Sequence, residues 1–407
     1  MFRKSFFSLF CALACLTLFT GCDNETVQNA DLSFMEKEAV LDYEVTLPSP
    51  YVNVDRVGYS LGEDIVLPYK SKVDCTSFDL IDSKTGEKYL SLELSENDYD
   101  PKLKEYSGNI RLEQITDSGS WHIHNDLVGD SYDINVSGDH YKKLLDERIE
   151  SFREKCRGTG ADPGVAFSVL MTYEWYPELF LDEDGDEVPD ILNTMGNWFQ
   201  SSENANAKQS TVYMWAALFA KYGYLYQNYD KAFATECIQR SGAILDKAGF
   251  DMSKEAFLAV AELYRATGKE SYLEELLKYK DYFLQNDEYP MDRTYMYGIL
   301  TFMCIYHEND MELSRKFMSD LMERARECAD SYREVKDTQE LLDMGTVVTG
   351  ANYIQSAYQY YRTCRRMIHY ISGENEQGIN SFYEPGCDEQ YILILGSLAH
   401  NEMNYND

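Results

Sequence analysis

The sequence is short of basic residues, and this shortage limits its partners. Only 37 Lys and Arg residues stand against 70 Asp and Glu, for a formal net charge of −33. A surface of this sign repels nucleic acid and anionic lipid, and it disfavours strongly acidic polysaccharides. Neutral glycans, cations and basic proteins remain open as partners.

Paired cysteine motifs are also missing. The chain has 10 cysteines, but they are scattered and form no CxxC pair. Seven follow Cys22, an odd number, which argues against a disulfide framework and against a zinc site. We expect most of them to be small buried residues.

Long apolar runs are confined to the start of the chain. The basic "MFRKS" precedes the apolar "FFSLFCALACLTLF", which is too short for a good membrane span, and "FTGC" follows. Residues 1–21 resemble a bacterial lipoprotein signal, which implies a lipid on Cys22 and a place on the extracellular face of the cell membrane. An ordinary secretion signal or a membrane anchor is the alternative.

The rest of the chain changes its apolar period once. Residues 22–50 are acidic and read as a tether. Residues 51–137 alternate apolar and polar positions in about seven short segments separated by turn signals, which predicts a β-sandwich. Residues 138–407 have a period of 3.6 and predict about a dozen antiparallel helices. Such helices suit either an open α-solenoid or a closed (α/α)6 toroid.

Several segments, taken in order, resemble glycoside hydrolase family 9. They are "VNVDRVGY" (52–59), "SGSWHIHNDLVGDSYDINV" (118–136), "YEWYPELF" (173–180), "EVPDILN" (187–193), "AELYRATGKESYL" (261–273) and "HYISGENEQGINSFY" (369–383). The resemblance implies an all-β plus all-α chain, in which an immunoglobulin-like β-sandwich precedes an (α/α)6 toroid. It also implies a cellulase-type enzyme acting on β-1,4-glucan or a related neutral plant polysaccharide.

The resemblance implies two catalytic carboxyl groups. Family 9 enzymes invert the anomeric centre, so one carboxyl protonates the leaving oxygen and another activates a water. "CDEQYILILGSLA" (387–399) fits the family's acid segment and makes Glu389 the candidate general acid. Acids in the first turn of a helix are also favoured by its dipole, so Glu389 has a purely structural alternative.

The segment expected to carry the catalytic base is deleted. The family's aspartate loop has no counterpart between Cys156 and Gly164, and Asp162 is the only acid there. Asp162 precedes Pro163, which favours a helix-start position where N–H groups stabilise a carboxylate and make it a weak base. The family's HHR segment is missing as well. We therefore expect weak hydrolysis or none, with a non-catalytic glycan-binding or protein-interaction lipoprotein as the alternative.

The acidic loop "DEDGDEVPD" is a candidate calcium site. Asp182, Asp184, Asp186 and Asp190 take positions 1, 3, 5 and 9 of an EF-type loop. The loop lacks the glycine at position 6 and the glutamate at position 12, so a solvated acidic loop before a helix is the alternative. No other cofactor is predicted.

Aromatic residues are abundant, with 33 Tyr, 19 Phe and 4 Trp. Sugar faces stack on aromatic rings, so Tyr213, Trp215 and Tyr383 are our candidate substrate-binding residues. Packing between amphipathic helices is the alternative for each of them.

Overall fold

The computed structural model describes residues 51–405, except 95–96, 114, 159, 202–208, 287–288, 290–291 and 385–390. The signal segment, the tether, Cys22 and Glu389 lie outside the described residues. The described residues belong to one compact unit, Ser49–Asp407. Among them, no helix is both long enough and apolar enough to cross a membrane.

Short strands form the first part of this unit. In chain order they are β1 (Tyr59–Ser60), β2 (Ile65–Ser71), β3 (Ser77–Asp82), β4 (Lys88–Glu93), β5 (Asn97–Asp100), β6 (Glu105–Leu112), β7 (Gly119–Asn125), β8 (Gly129–Asp130) and β9 (Ile134–Ser137). One sheet has the order β2-β6-β5, and the other has the order β1-β9-β7-β3-β4 with β8 against β7. Only β1 and β9 pair in parallel; the other described pairs are antiparallel.

One hydrophobic core joins the two sheets. Ile65, Leu67 and Tyr69 alternate with more exposed residues along β2, as expected for side chains that point to opposite faces of a strand. They share a core with Leu80 of β3 and Ile123 of β7. The alternation read from the sequence therefore corresponds to a β-rich region with one buried face on each sheet.

Residues 51–59 belong to the stretch with alternating apolar and polar positions, but most of them are not in a strand. Within this stretch, regular pairing is limited to Tyr59 in β1 and an isolated bridge between Val52 and Tyr69. Asp55 explains the break, because its Oδ1 accepts hydrogen bonds from the N–H groups of Val57 and Gly58. Gly58 then has a φ of 130°, a conformation that favours glycine, directly before β1 begins at Tyr59.

Helices account for most of the remaining chain. They are α1 (His140–Arg157), α2 (Pro163–Trp175), α3 (Asp190–Ser201), α4 (Gln209–Tyr226), α5 (Lys231–Ala248), α6 (Lys254–Thr267), α7 (Glu270–Leu277), α8 (Lys280–Gln285), α9 (Arg293–Met303), α10 (Met311–Ser331), α11 (Thr338–Gln355), α12 (Tyr358–His369) and α13 (Ile392–Tyr405). The strands end at Ser137 and α1 begins at His140. Strands therefore give way to helices between residues 137 and 140, and a division into two domains at 137/138 stays a prediction.

Six of these helices form a ring. Each helix contacts the next in the order α2, α4, α6, α9, α11 and α13, and α13 contacts α2. Lys254 in the first turn of α6 pairs with Asp292 just before α9. At the other end, Trp175 of α2 stacks on Tyr353 of α11 with ring centroids 4.1 Å apart. First turns meet first turns and last turns meet last turns, so the ring helices run parallel. Each therefore needs a connecting helix on the outside.

Candidate functional site

The starts of the ring helices form what we call the amino-terminal rim. Four of the six ring helices begin with a capping side chain: Asp162, Ser253, Asp292 and Asp337. Each side chain accepts hydrogen bonds from N–H groups in the first turn, which otherwise have no partner inside the helix. The two candidate catalytic residues predicted from the sequence, Asp162 and Glu389, precede α2 and α13, and a catalytic site at this rim stays a prediction.

Asp162 has the geometry of a helix cap. Its Oδ1 accepts hydrogen bonds from Gly164 N at 2.8 Å and from Val165 N at 3.1 Å. Asp292 repeats this arrangement on α9, with Thr294 N at 3.0 Å and Tyr295 N at 3.1 Å. The position is therefore explained by helix capping alone. A catalytic role for Asp162 stays a prediction.

Asp343 is a carboxyl group near this rim that sequence reasoning missed. It lies in the second turn of α11, and Gln339 Nε2 donates to its Oδ1 at 3.3 Å. Burial raises the pKa of Asp343 above its ordinary value, against the opposing charge of Arg293. Perturbed carboxyl groups are common at catalytic sites. No motif surrounds Asp343, so only tertiary packing reveals it.

The carboxyl-terminal half of the ring encloses a buried ionic cluster. Nζ of Lys221 lies 2.5 Å from Glu174 Oε2 and 3.4 Å from Glu262 Oε1. Arg265 contacts Glu174 and Glu262 at 2.6 Å each. Burial alone would raise the pKa of Glu174, but the charges of Lys221 and Arg265 hold it well below its usual range. The charges of two acidic and two basic side chains therefore balance inside the ring.

A pocket of about 310 Å³ opens at the ends of the ring helices, which we call the carboxyl-terminal pocket. Its lining includes Trp175, Tyr353, Tyr358, Tyr361, His400 and Asn404. Tyr358 is 58% exposed, whereas Trp175 and Tyr361 are buried. Aromatic rings together with amide and imidazole groups are suited to a polar ligand that has apolar faces.

The predicted substrate-binding aromatics do not come together. Tyr213 is buried, and its hydroxyl donates to Gly249 O at 3.1 Å. Trp215 is buried and packs on Trp198, with centroids 4.9 Å apart. Tyr383 is exposed, and the guanidinium of Arg148 lies 5.1 Å from its ring centroid. Tyr213 and Trp215 have packing roles here, and substrate contact by any of the three stays a prediction.

The acidic loop brings three carboxyl groups together. Oxygens of Asp182, Asp184 and Asp190 lie within 4.8 Å of one another, so these residues could hold a metal ion. The loop folds around Asp182, whose Oδ1 accepts from Gly185 N at 2.8 Å and whose Oδ2 accepts from Glu187 N at 2.8 Å.

Two details of the loop differ from the predicted four-ligand arrangement. Asp186 is not part of the group, because Val188 N donates to its Oδ1 and Asn193 Nδ2 to its Oδ2. Asp190 also pairs with Arg153 at 3.3 Å, which competes with a cation for one of its oxygens. The remaining carboxylates still repel one another. A hydrogen bond from Asp186 N–H lowers the pKa of Asp184, but partial desolvation and the charges of the neighbouring acids raise it by more. The pKa of Asp184 is therefore above its ordinary value.

Comparison with known proteins places this fold. The sequence matches no protein-family model and no curated protein. Solved structures do match over most of their length. A metagenome-derived glycoside hydrolase family 9 endoglucanase has a TM-score of 0.65 at 13% identity, over 81% of this chain and 84% of its own. The family 9 protein of Bacteroides ovatus has a TM-score of 0.63 at 13% identity, over 88% and 99%.

A third similar structure carries a ligand. It is AaCel9A in complex with cellobiose-like isofagomine, with a TM-score of 0.60 at 12% identity over 81% of this chain and 83% of its own. Identities this low show the fold and nothing finer. The resemblance predicted from the sequence is confirmed at that level, and the chain has the fold of the family 9 endoglucanases.

Proposed function

We propose that this chain is a surface lipoprotein on the family 9 scaffold, which binds β-1,4-glucan or a related neutral plant polysaccharide and hydrolyses it weakly or not at all. In this proposal the helix ring is an (α/α)6 toroid and the β-rich region is an immunoglobulin-like sandwich. A lipid on Cys22 would hold the chain on the extracellular face of the bacterial membrane. Asp182, Asp184 and Asp190 would bind Ca²⁺, whose preferred ligands are carboxylate and carbonyl oxygens.

The short connection between α1 and α2 supports this proposal most directly. α1 ends at Arg157 and α2 begins at Pro163, so the connection has no room for the family's catalytic loop. The one acid described there, Asp162, uses its Oδ1 to cap α2. An inverting hydrolase needs a carboxylate that is free to activate water, and in this proposal Asp162 serves as a helix cap instead.

An active hydrolase is the second candidate function, and Asp343 is the observation that favours it. α11 and α13 are neighbours in the ring, and Glu389 precedes α13 by three positions in the sequence. A base with a raised pKa on α11 and an acid just before α13 would both belong to the amino-terminal rim. In this alternative Glu389 donates the proton and Asp343 activates the water.

The experiment measures reducing-sugar release from β-glucan and xyloglucan beside binding of the full chain to the same polymers. We expect the chain to bind the polymers and to release no reducing sugar, or to release it slowly and at a rate that substitution of Asp162 does not change. Release abolished by both Glu389→Gln and Asp343→Asn would replace our proposal with the hydrolase. Neither binding nor release would point to a protein partner.

A further inference from the structure

A second pocket, of about 410 Å³, lies between the β-rich region and α12. We call it the arginine pocket. Its basic lining residues are Lys70, Arg111, Arg333, Arg362, Arg365, Arg366 and His369. Its acidic lining residues are Asp64, Glu374 and Glu376. The whole chain has a net charge of −33, whereas the pocket has more basic than acidic lining residues. The local charge of the pocket is therefore opposite in sign to the net charge of the chain.

Most of these cations lack an acidic partner. Arg365 and His369 are the exceptions. Arg365 Nε lies 3.7 Å from Glu63 Oε1. His369 pairs with Asp55 and Glu63. Within the part of the chain that the structure describes, the other five form no ion pair. Partial desolvation, followed by the charge of Arg362, lowers the pKa of Arg366 below its ordinary value. A cluster of cations that repel one another is stabilised when an anion enters.

The acids of the pocket do not cancel this charge. The hydroxyl of Tyr59 donates to Glu374 Oε1 at 2.7 Å, and burial raises the pKa of Glu374 to about 7. Its carboxyl group is therefore only partly ionised near neutral pH. Asp64 and Glu376 are both exposed, where water screens their charges.

The pocket also contains buried polar atoms without partners. Asn53 is 8% exposed, and its Nδ2 donates to Asn375 O at 2.7 Å. Its Oδ1 is buried and accepts no hydrogen bond from any described residue. Arg365 Nε, on a side chain that is also nine-tenths buried, likewise has no hydrogen-bond partner among the described residues. Buried polar atoms in this state are commonly completed by water, an ion or a ligand.

We propose that the arginine pocket binds a small organic anion with both a carboxylate and hydroxyl groups, which is an acidic sugar of the uronate class. Arg362 and Arg366 are one helical turn apart on α12, so they lie on one face and can grip a carboxylate with planar guanidinium groups. A ligand hydroxyl donates to Asn53 Oδ1. The volume is within the range of about 300–1,000 Å³ that is typical of small-molecule pockets, and is larger than a bare ion needs.

This site is lined mainly by α12, the segment that follows it and the β-rich region, and it shares no lining residue with the carboxyl-terminal pocket. The two pockets are neighbours, since the guanidinium of Arg362 lies 5.9 Å from the ring centroid of Tyr358. The inference therefore does not depend on the proposed function, and polymer hydrolysis or binding does not test it.

The test is isothermal titration calorimetry of the full chain with cellobiouronic acid, cellobiose and inorganic phosphate. The first two ligands differ only in a carboxylate in place of a hydroxymethyl group. We expect the acid to bind, cellobiose not to bind at this site, and affinity for the acid to fall as salt is added. Arg362→Gln and Arg366→Gln should each weaken binding about tenfold, the loss typical of one charge-assisted hydrogen bond.

Arg157→Gln is the matched control, because it removes an exposed arginine from the end of α1 and should leave binding unchanged. Arg362 and Arg366 are at least partly exposed, so their variants should fold, and their melting temperatures check this. Three results would each overturn the assignment: cellobiose binding that Arg362→Gln and Arg366→Gln weaken as much as they weaken binding of the acid, binding of phosphate without binding of the acid, or unchanged affinity for the acid in both pocket variants.

Discussion

Nδ1 of His369 lies 2.7 Å from Oδ2 of Asp55, and the two residues are 314 positions apart in the chain. This contact joins the last turn of α12 to the segment before β1. Nε2 of the same imidazole lies 3.1 Å from Glu63 Oε2. One cationic ring thus bridges two buried carboxylates that both belong to the β-rich region. The junction between the regions is ionic, and its strength depends on the proton of His369.

That proton predicts a pH dependence of stability. Burial would lower the pKa of His369, but the charges of Glu63 and Glu374 and its hydrogen bonds raise it from 6.5 to about 10. A raised pKa means that the folded state binds the proton more tightly than the unfolded state does. The contribution is complete below pH 6.5 and is lost as the pH rises through about 10.

Urea denaturation of the parent protein and His369→Gln across this window checks the prediction. The stability difference between the two proteins should be largest near pH 6.5 and should shrink towards pH 10. A difference that is the same at every pH would show that His369 contributes by packing alone.

The ionic cluster in the ring predicts a large loss of stability. Lys221→Met leaves the buried Glu262 and the partly buried Glu174 with Arg265 as their one remaining cation among the described residues. We expect the free energy of unfolding to fall by about 3–5 kcal/mol, the usual cost of breaking a buried ion pair from one side. Urea denaturation measures it.

Lys254→Met is the matched control for that change. Lys254 pairs with Asp292 at the amino-terminal rim, where the two side chains are 37% and 26% exposed. Removing an exposed pair of this kind should cost no more than about 1 kcal/mol. Equal losses of unfolding free energy in the two variants would contradict the expectation that the buried cluster contributes more to stability than the partly exposed pair.

Asp162 can be tested by two substitutions that differ only in capping ability. Asp162→Ala removes the acceptor for Gly164 and Val165, and should cost about 1 kcal/mol of stability. Asp162→Asn keeps a capping oxygen and should cost much less. Neither should alter glycan binding or reducing-sugar release. Loss of release in the asparagine variant, with stability retained, would instead identify Asp162 as a catalytic base.

The acidic loop predicts a calcium-dependent melting temperature. Adding Ca²⁺ should raise the melting temperature, because a bound cation stabilises only the folded state, and a chelator should reverse the rise. Asp184→Asn should abolish the response. Asp186→Asn should preserve it, because Asp186 is outside the three-carboxylate group. A melting temperature indifferent to calcium and chelator would remove the site.

The periodicity of the sequence predicts most of the secondary structure, since β2, β3, β4, β6, β7 and β9 all lie on alternating segments. It does not predict β5, because "NDYD" has no apolar alternation. Its one aromatic residue, Tyr99, packs on Tyr106 of β6 with ring centroids 4.8 Å apart. Asp162 was predictable as a cap from Pro163 alone. Asp343 and the arginine pocket were not, because their properties arise from residues that are distant in sequence and meet only in the folded chain.

The aromatic lining of the carboxyl-terminal pocket predicts that neutral glucan binds there. Tyr358 is its most exposed aromatic residue, at 58%. If neutral glucan stacks on this ring, Tyr358→Ala should weaken binding by about 1 kcal/mol, roughly fivefold in Kd. Tyr99→Ala is the matched control, because Tyr99 on β5 is 50% exposed and lies outside the pocket. Titration of cello-oligosaccharides measures both variants. Weakening by Tyr99→Ala alone would move the glucan surface to the β-rich region, and no change in either would leave the amino-terminal rim as the place to look.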